Sequence, residues 1–128
     1  MTSSVEHNRR LVHRLVEIVN ERRLDEIEEV AAGQVAQDAA RWIGPFVASF
    51  PDFRMEVVDV IAEPDKVAAY FKCSGTQLGE WQGRPPSQRR FEDVDEIYVF
   101  EVRDGRLARA IVAVEDNLTR MRQLGLVD

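Results

Sequence analysis

The sequence predicts an α+β fold, with helices first and an antiparallel sheet after them. Three observations carry this. Apolar residues recur at helical spacing through residues 4–49, the period changes to two after Pro51, and turn signals at Glu63-Pro64-Asp65-Lys66 and Arg103-Asp104-Gly105-Arg106 punctuate strand-like runs. A curved sheet wrapped over the helices is the expected arrangement.

Ser3 and Glu6 fit a capping box ahead of Leu11, Val12, Leu15, Val16 and Val19, which predicts a first helix over residues 4–21. His7 and His13 on it do not share a face, so they read as solvated or capping residues and not as a metal pair. Leu24, Ile27 and Val30 predict a short second helix over 24–31, ended by Gly33. A third helix covers 35–49 and is broken or kinked at Gly44-Pro45, because proline lacks the N–H and clashes with the preceding turn. Trp42, Ile43, Phe46 and Phe50 crowd that break.

Phe53, Met55, Val57, Asp59 and Ile61 alternate with Arg54, Glu56, Val58 and Val60 as a first strand. Residues 67–76 form the second, centred on Tyr70, Phe71 and Cys73. The third covers 90–102, with Tyr98, Phe100 and Val102 on one face and Asp93, Asp95, Ile97 and Val99 on the other. Leu107 to Val114 form the last strand, and a terminal helix over 117–124 ends at Gly125.

Between the second and third strands, residues 75–90 hold Gly75, Gly79, Gly83, Pro85, Pro86 and Trp81. A hairpin connection needs only about two to five residues. The longer, decorated one reads either as a pocket rim or lid, or as a bulged hairpin with Trp81 folded back on the core.

With 128 residues, 45% of them hydrophobic and 31% charged, the chain is expected to be one domain over 1–128 with a real core. A net charge of -6 argues against a nucleic-acid or anionic-membrane partner. No apolar run approaches the roughly 18–20 residues that span a bilayer. Met1 to Arg10 is polar, without a signal-peptide core, and the lone Cys73 reads as a buried small hydrophobe. A cytoplasmic protein is the expectation. No phosphate-binding glycine loop, metal-ligand spacing or Ser-His-Asp arrangement is present, so no cofactor and no metal are expected.

Several elements together resemble one family: Phe50-Pro51-Asp52-Phe53; Gly75-Thr76 with Gly79-Glu80, Gly83 and Pro85-Pro86; Asp104-Gly105-Arg106-Leu107; and Asp116 followed by Gln123-Leu124-Gly125. With Asn8, Leu11-Val12, Asn20 and Leu24-Asp25 they make the chain similar to the SnoaL-like polyketide cyclases of the nuclear transport factor 2-like superfamily. The resemblance implies a cone-shaped α+β barrel with a deep apolar pocket, a homodimer, and cofactor-free ring closure on a polyketide-type substrate of secondary metabolism. It also implies an acid/base role for Asp116. The chain has Gln77 where the family commonly has histidine, and Ala110-Ile111-Val112 where it has a Glu-His-Trp-like run. Epoxide hydrolases, cyclic-ether-forming enzymes and hydroxylases share the scaffold, as would a non-catalytic small-molecule-binding module.

Chemistry in such a pocket needs one group to move a proton and another to hold an oxygen. Asp116, between an apolar strand and a helix, fits the first role or that of a helix N-cap. Asp95 is either one rung of a surface ion-pair ladder or, if it faces inward, the second carboxylate of an acid/base pair. Gln77 and Tyr70 are candidates to bond a substrate carbonyl or are satisfied within the fold. Trp42, Trp81 and Phe46 are the expected pocket walls around an apolar small molecule. Glu115 is expected outside.

Overall fold

The structure is a computed structural model that describes residues 4–128, so Ser3 of the expected capping box lies outside the described residues. Helix α1 (Ser4–Asn20) buries Leu11, Val12, Leu15, Val16, Ile18 and Val19 along one stripe. Full burial of each such side chain stabilises the fold by about 1.5–3 kcal/mol. Asn20 pins its end to the sheet: its Nδ2 donates to Met55 O at 2.9 Å, and Met55 N donates back to its Oδ1 at 2.8 Å. The chain turns at Arg22, whose φ of 60° is a left-handed conformation. The Arg22 guanidinium bonds the carbonyls of Pro51 and Phe53.

A 3-10 helix (Leu24–Glu29) stands where the second helix is expected. Gly33 opens the next element instead of ending the last one. Helix α2 (Gly33–Asp38) runs through a π-helical turn (Ala39–Ile43) into α3 (Gly44–Ser49). The break expected at Gly44-Pro45 is thus spread over a wide turn, and Pro45 sits at the start of α3, where its missing N–H costs least.

The strands are β1 (Arg54–Ala62), β2 (Lys66–Thr76), β3 (Arg90–Arg103) and β4 (Arg106–Glu115), followed by α4 (Asn117–Gln123). They pair antiparallel in the order β1-β2-β3-β4. β1 and β4 are the two edges and do not pair with each other, which corrects the expected cone-shaped barrel. The sheet is neither closed nor strongly curled. Four strands are too few to enclose a filled interior, for which about eight are typical. Ala31 makes only an isolated parallel bridge to Leu107 on the β4 edge.

A register shift between Val57 and Asp59 changes the phase of β1. Met55 and Val60 are buried, while Ile61 is exposed. Across the sheet, Phe71, Cys73, Val94, Glu96 and Phe100 are buried on the helix-covered side. Rows such as Tyr70–Ile97–Val114 and Ala68–Val99–Val112 lie on the opposite face.

Candidate functional site

Five side chains meet between α3, the long connection, β3 and α4. Phe46 stacks on Phe50 at 4.3 Å, and Trp81 meets both rings edge-on at 6.0 and 5.7 Å. Phe91 lies 5.5 Å from Phe50, and the Arg120 guanidinium sits 4.8 Å from Phe91 and 5.3 Å from Phe46. Edge-to-face rings and a guanidinium over a ring face each add favourable quadrupole electrostatics to the burial.

Arg120 is 0% exposed although it is charged. Its Nη2 donates to Glu96 Oε2 at 2.9 Å. Its Nη1 donates to Glu115 Oε2 and to Asn117 Oδ1, both at 3.1 Å. Its Nε is a buried side-chain atom with no hydrogen-bond partner. Glu96, 4% exposed, also accepts a 2.6 Å bond from the Tyr98 hydroxyl. Burial pushes the Glu96 carboxyl up from the ordinary glutamate range, against the pull of Tyr98 and Arg120. Burial and the neighbouring Glu96 push the Tyr98 phenol up, so it stays a donor. Tyr98 remains partly exposed, opposite Ala113 in the register, and Phe100 is opposite Ala110. Glu115 pairs with Glu96 across the strands and is exposed, as expected, while its carboxylate reaches back to Arg120.

The connection between β2 and β3 folds around Gln77, which is fully buried. Its Nε2 donates to the carbonyls of Gly79 and Pro85, each at 3.2 Å, and its Oε1 accepts from Ser87 N at 3.1 Å. Leu78 N and Gly79 N both donate to Ser49 O, and a Cβ at Gly79 would lie 3.1 Å from Ser49 Cα. Glycine is what allows this close approach. Trp81 is 7% exposed and belongs to the aromatic cluster; Trp42 is 64% exposed. Phe46 is half-buried within the same cluster.

Asp95 lies on the face away from the helices. Its Oδ1 accepts from the Tyr70 hydroxyl at 2.7 Å and from Lys72 Nζ at 3.1 Å. These bonds, Tyr70 first and then Lys72, hold its carboxyl below the ordinary range. Asp116 caps α4: one oxygen accepts from Thr119 N at 3.1 Å and the other from Thr119 Oγ1 at 2.7 Å. The Thr119 hydroxyl, then its N–H, lowers the Asp116 carboxyl as well. The two aspartates are neighbours, with Asp116 N donating to Asp95 O at 2.9 Å. The structure therefore brings Phe46 and Trp81 together, keeps Tyr70 with Asp95, and leaves Gln77 among backbone carbonyls.

Two clefts, of about 260 Å³ beside Arg54, Lys72 and Arg90 and about 310 Å³ beside His7, Asn8 and Asp104, include none of these candidate residues. Among the described residues, no cluster of His, Cys, Asp and Glu fits a metal ion, and no helix is long and apolar enough to cross a membrane.

Sequence reading missed Glu96 and Arg120. Glu96 shares the strand phase of Tyr98 and Phe100, and Arg120 precedes the buried Leu124 by one helical turn. Those two spacings were the available signal.

The backbone matches TsrD from Streptomyces laurentii with a TM-score of 0.83 at 26% identity, over 94% of this chain and 96% of that one. IdmH from Streptomyces antibioticus, a proposed polyketide cyclase, matches with a TM-score of 0.76 at 25% identity, over 92% and 98%. AclR from Streptomyces galilaeus, a proposed hydroxylase, has a TM-score of 0.82 at 21% identity over 97% and 88%, a likeness of fold. None of the curated proteins compared matches the sequence. The family model for SnoaL-like polyketide cyclase matches residues 9–124, and the chain belongs to that family.

Proposed function

We propose that this chain is a cofactor-independent, cytoplasmic enzyme of secondary metabolism that performs acid/base chemistry of the cyclase type on a polyketide-type ketone. Family membership supports enzymatic activity on a small molecule. IdmH, the proposed polyketide cyclase, supports the narrower reaction class. The observation that carries the reading is the aromatic cluster of Phe46, Phe50, Trp81 and Phe91 closing on charged groups at its edge. Flat rings pack a flat substrate, and buried charge moves protons. Epoxide opening, ether formation or hydroxylation would use the same apolar wall; AclR is the relative behind the last.

Asp116 is the proposed base, at the position the family uses. Its hydrogen bonds to Thr119 keep it ionised near neutral pH, the form a base requires. The chain is taken to act as one domain over 1–128 and as a homodimer that covers the outer sheet face, where Ile61, Ile97, Val112 and Val114 are exposed.

The test uses α-tetralone, a bicyclic aryl ketone, as the probe. The full chain should bind it and accelerate exchange of its C2 hydrogens with solvent deuterium. Asp116→Asn should lower that rate about 100-fold, a usual span for loss of a general base, while the helix cap is retained. If the chain neither binds the ketone nor accelerates exchange, the cyclase reading fails. If it does both and Asp116→Asn is fully active, Asp116 is only a cap.

A further inference from the structure

The family resemblance accounts for Asp116 but not for Arg120, the most buried charged side chain among the described residues. A guanidinium against aromatic rings and its buried carboxylate partner are costly to desolvate. A hydrophobic pair of similar size is often as stable or more so, so stability alone is a weak reason for this arrangement. Arg120 is also incompletely satisfied. Its Nη atoms have three oxygen partners, yet its buried Nε has none. A buried donor without a partner calls for one.

We propose that Arg120 and Glu96 form the polar end of the substrate site, where the Arg120 Nε–H takes a ketone oxygen of the ligand and the Glu96 carboxyl gives that oxygen a proton. This inference rests on the ketone reading of the function and adds the residues that hold the oxygen. Arg120 also holds Glu96 in place: its Nη2 donates to Glu96 Oε2 while its guanidinium lies against the Phe46 and Phe91 rings. Tyr98 fixes the other oxygen of Glu96 and is itself only half-buried, opposite the small Ala113 and next to Phe100, which is opposite Ala110.

In the step itself, the Glu96 O–H bond breaks and its proton goes to the ketone oxygen. The C–H bond next to the carbonyl breaks, its electron pair forms the C=C bond, and that proton goes to the Asp116 carboxylate, the base proposed above. The product is the enol, and Glu96 is left as a carboxylate paired with Arg120. The groups facing Glu96 are Cys73 on β2, Tyr98 on β3, Glu115 at the end of β4 and Arg120 on α4. Two carboxylates against one guanidinium, in a buried site, favour one of them holding a proton. Burial selects Glu96, because the Glu115 side chain is 49% exposed.

The experiment compares α-tetralone with tetralin, which has the same carbon skeleton without the oxygen. The wild-type chain should bind the ketone at least about tenfold more tightly, since one net hydrogen bond to a charged group is worth that much or more. Arg120→Lys, which keeps the charge but has no Nε–H, should lose the preference. Glu96→Gln should lower C2 exchange about 100-fold and remove the decline in rate expected of wild type as pH rises above the ordinary glutamate range. A direct readout in the wild-type protein needs no variant to fold: the Arg120 Nε–H resonance should shift with α-tetralone and stay in place with tetralin. Equal binding of the two compounds with an unmoved Nε–H signal overturns the inference and leaves the cyclase reading standing. Binding of neither compound removes both, starting with the cyclase reading.

Discussion

Asp95 and Glu96 are consecutive acidic residues on one strand, and they have opposite environments. Asp95 points away from the helices, partly in solvent, where Tyr70 and Lys72 lower its carboxyl. Glu96 points toward them, is 4% exposed, and is raised by burial even with Arg120 at 2.9 Å. Strand alternation alone separates them, with the side chain reversing at each residue. Neighbours in sequence thus have different chemistry: one is suited to a surface contact, and burial lets the other keep its proton to higher pH than an ordinary glutamate.

The largest way to break this contrast is to remove the buried cation. Arg120→Ala leaves Glu96 without its ion pair and should cost about 3–5 kcal/mol in urea unfolding. Replacing both partners, Arg120→Met with Glu96→Leu, should cost less than the single change, because no buried charge is left uncompensated. A loss no larger than a surface substitution would mean the pair is hydrated in solution.

A smaller effect is expected on the other face. Light scattering should give twice the 14.7 kDa chain mass at micromolar concentration, and Ile97→Asp should return the protein to a monomer without unfolding it. A wild-type monomer would mean that the exposed rows of Ile97 and Val114 are solvated and that Asp95 stays at a free surface.

Much of this was legible in the sequence. The Asp104-Gly105 turn, the alternation of Tyr98 and Phe100 against Ile97 and Val99, and the burial of Cys73 follow from local periodicity and turn chemistry, which the structure keeps. The register shift at Val57 was not legible, because a bulge has no signature among similar β-branched residues, and it put Val60 inside in place of Ile61. The barrel expectation came from resemblance, and four strands with two free edges replace it. Trp81 read equally as rim or core, and contacts from the distant Phe46 and Phe50 decide for the core. Arg120 looks like one basic residue of a short polar helix. Its burial depends on Glu96, distant in sequence, and no local pattern encodes that pairing.

The central claim is that Glu96, and not either aspartate, carries the raised carboxyl. Its folded value lies above its unfolded one, so the stability it contributes is full below the unfolded value and is lost as pH rises through the folded value. Asp95 and Asp116 run the other way: their contribution is present above the unfolded value and lost as pH falls through the folded one. Carbon NMR titration of the side-chain carboxyls measures all three in one sample. Glu96 should titrate above ordinary glutamate, with Asp95 and Asp116 below ordinary aspartate. A Glu96 carboxyl that titrates at or below the ordinary glutamate value would contradict it.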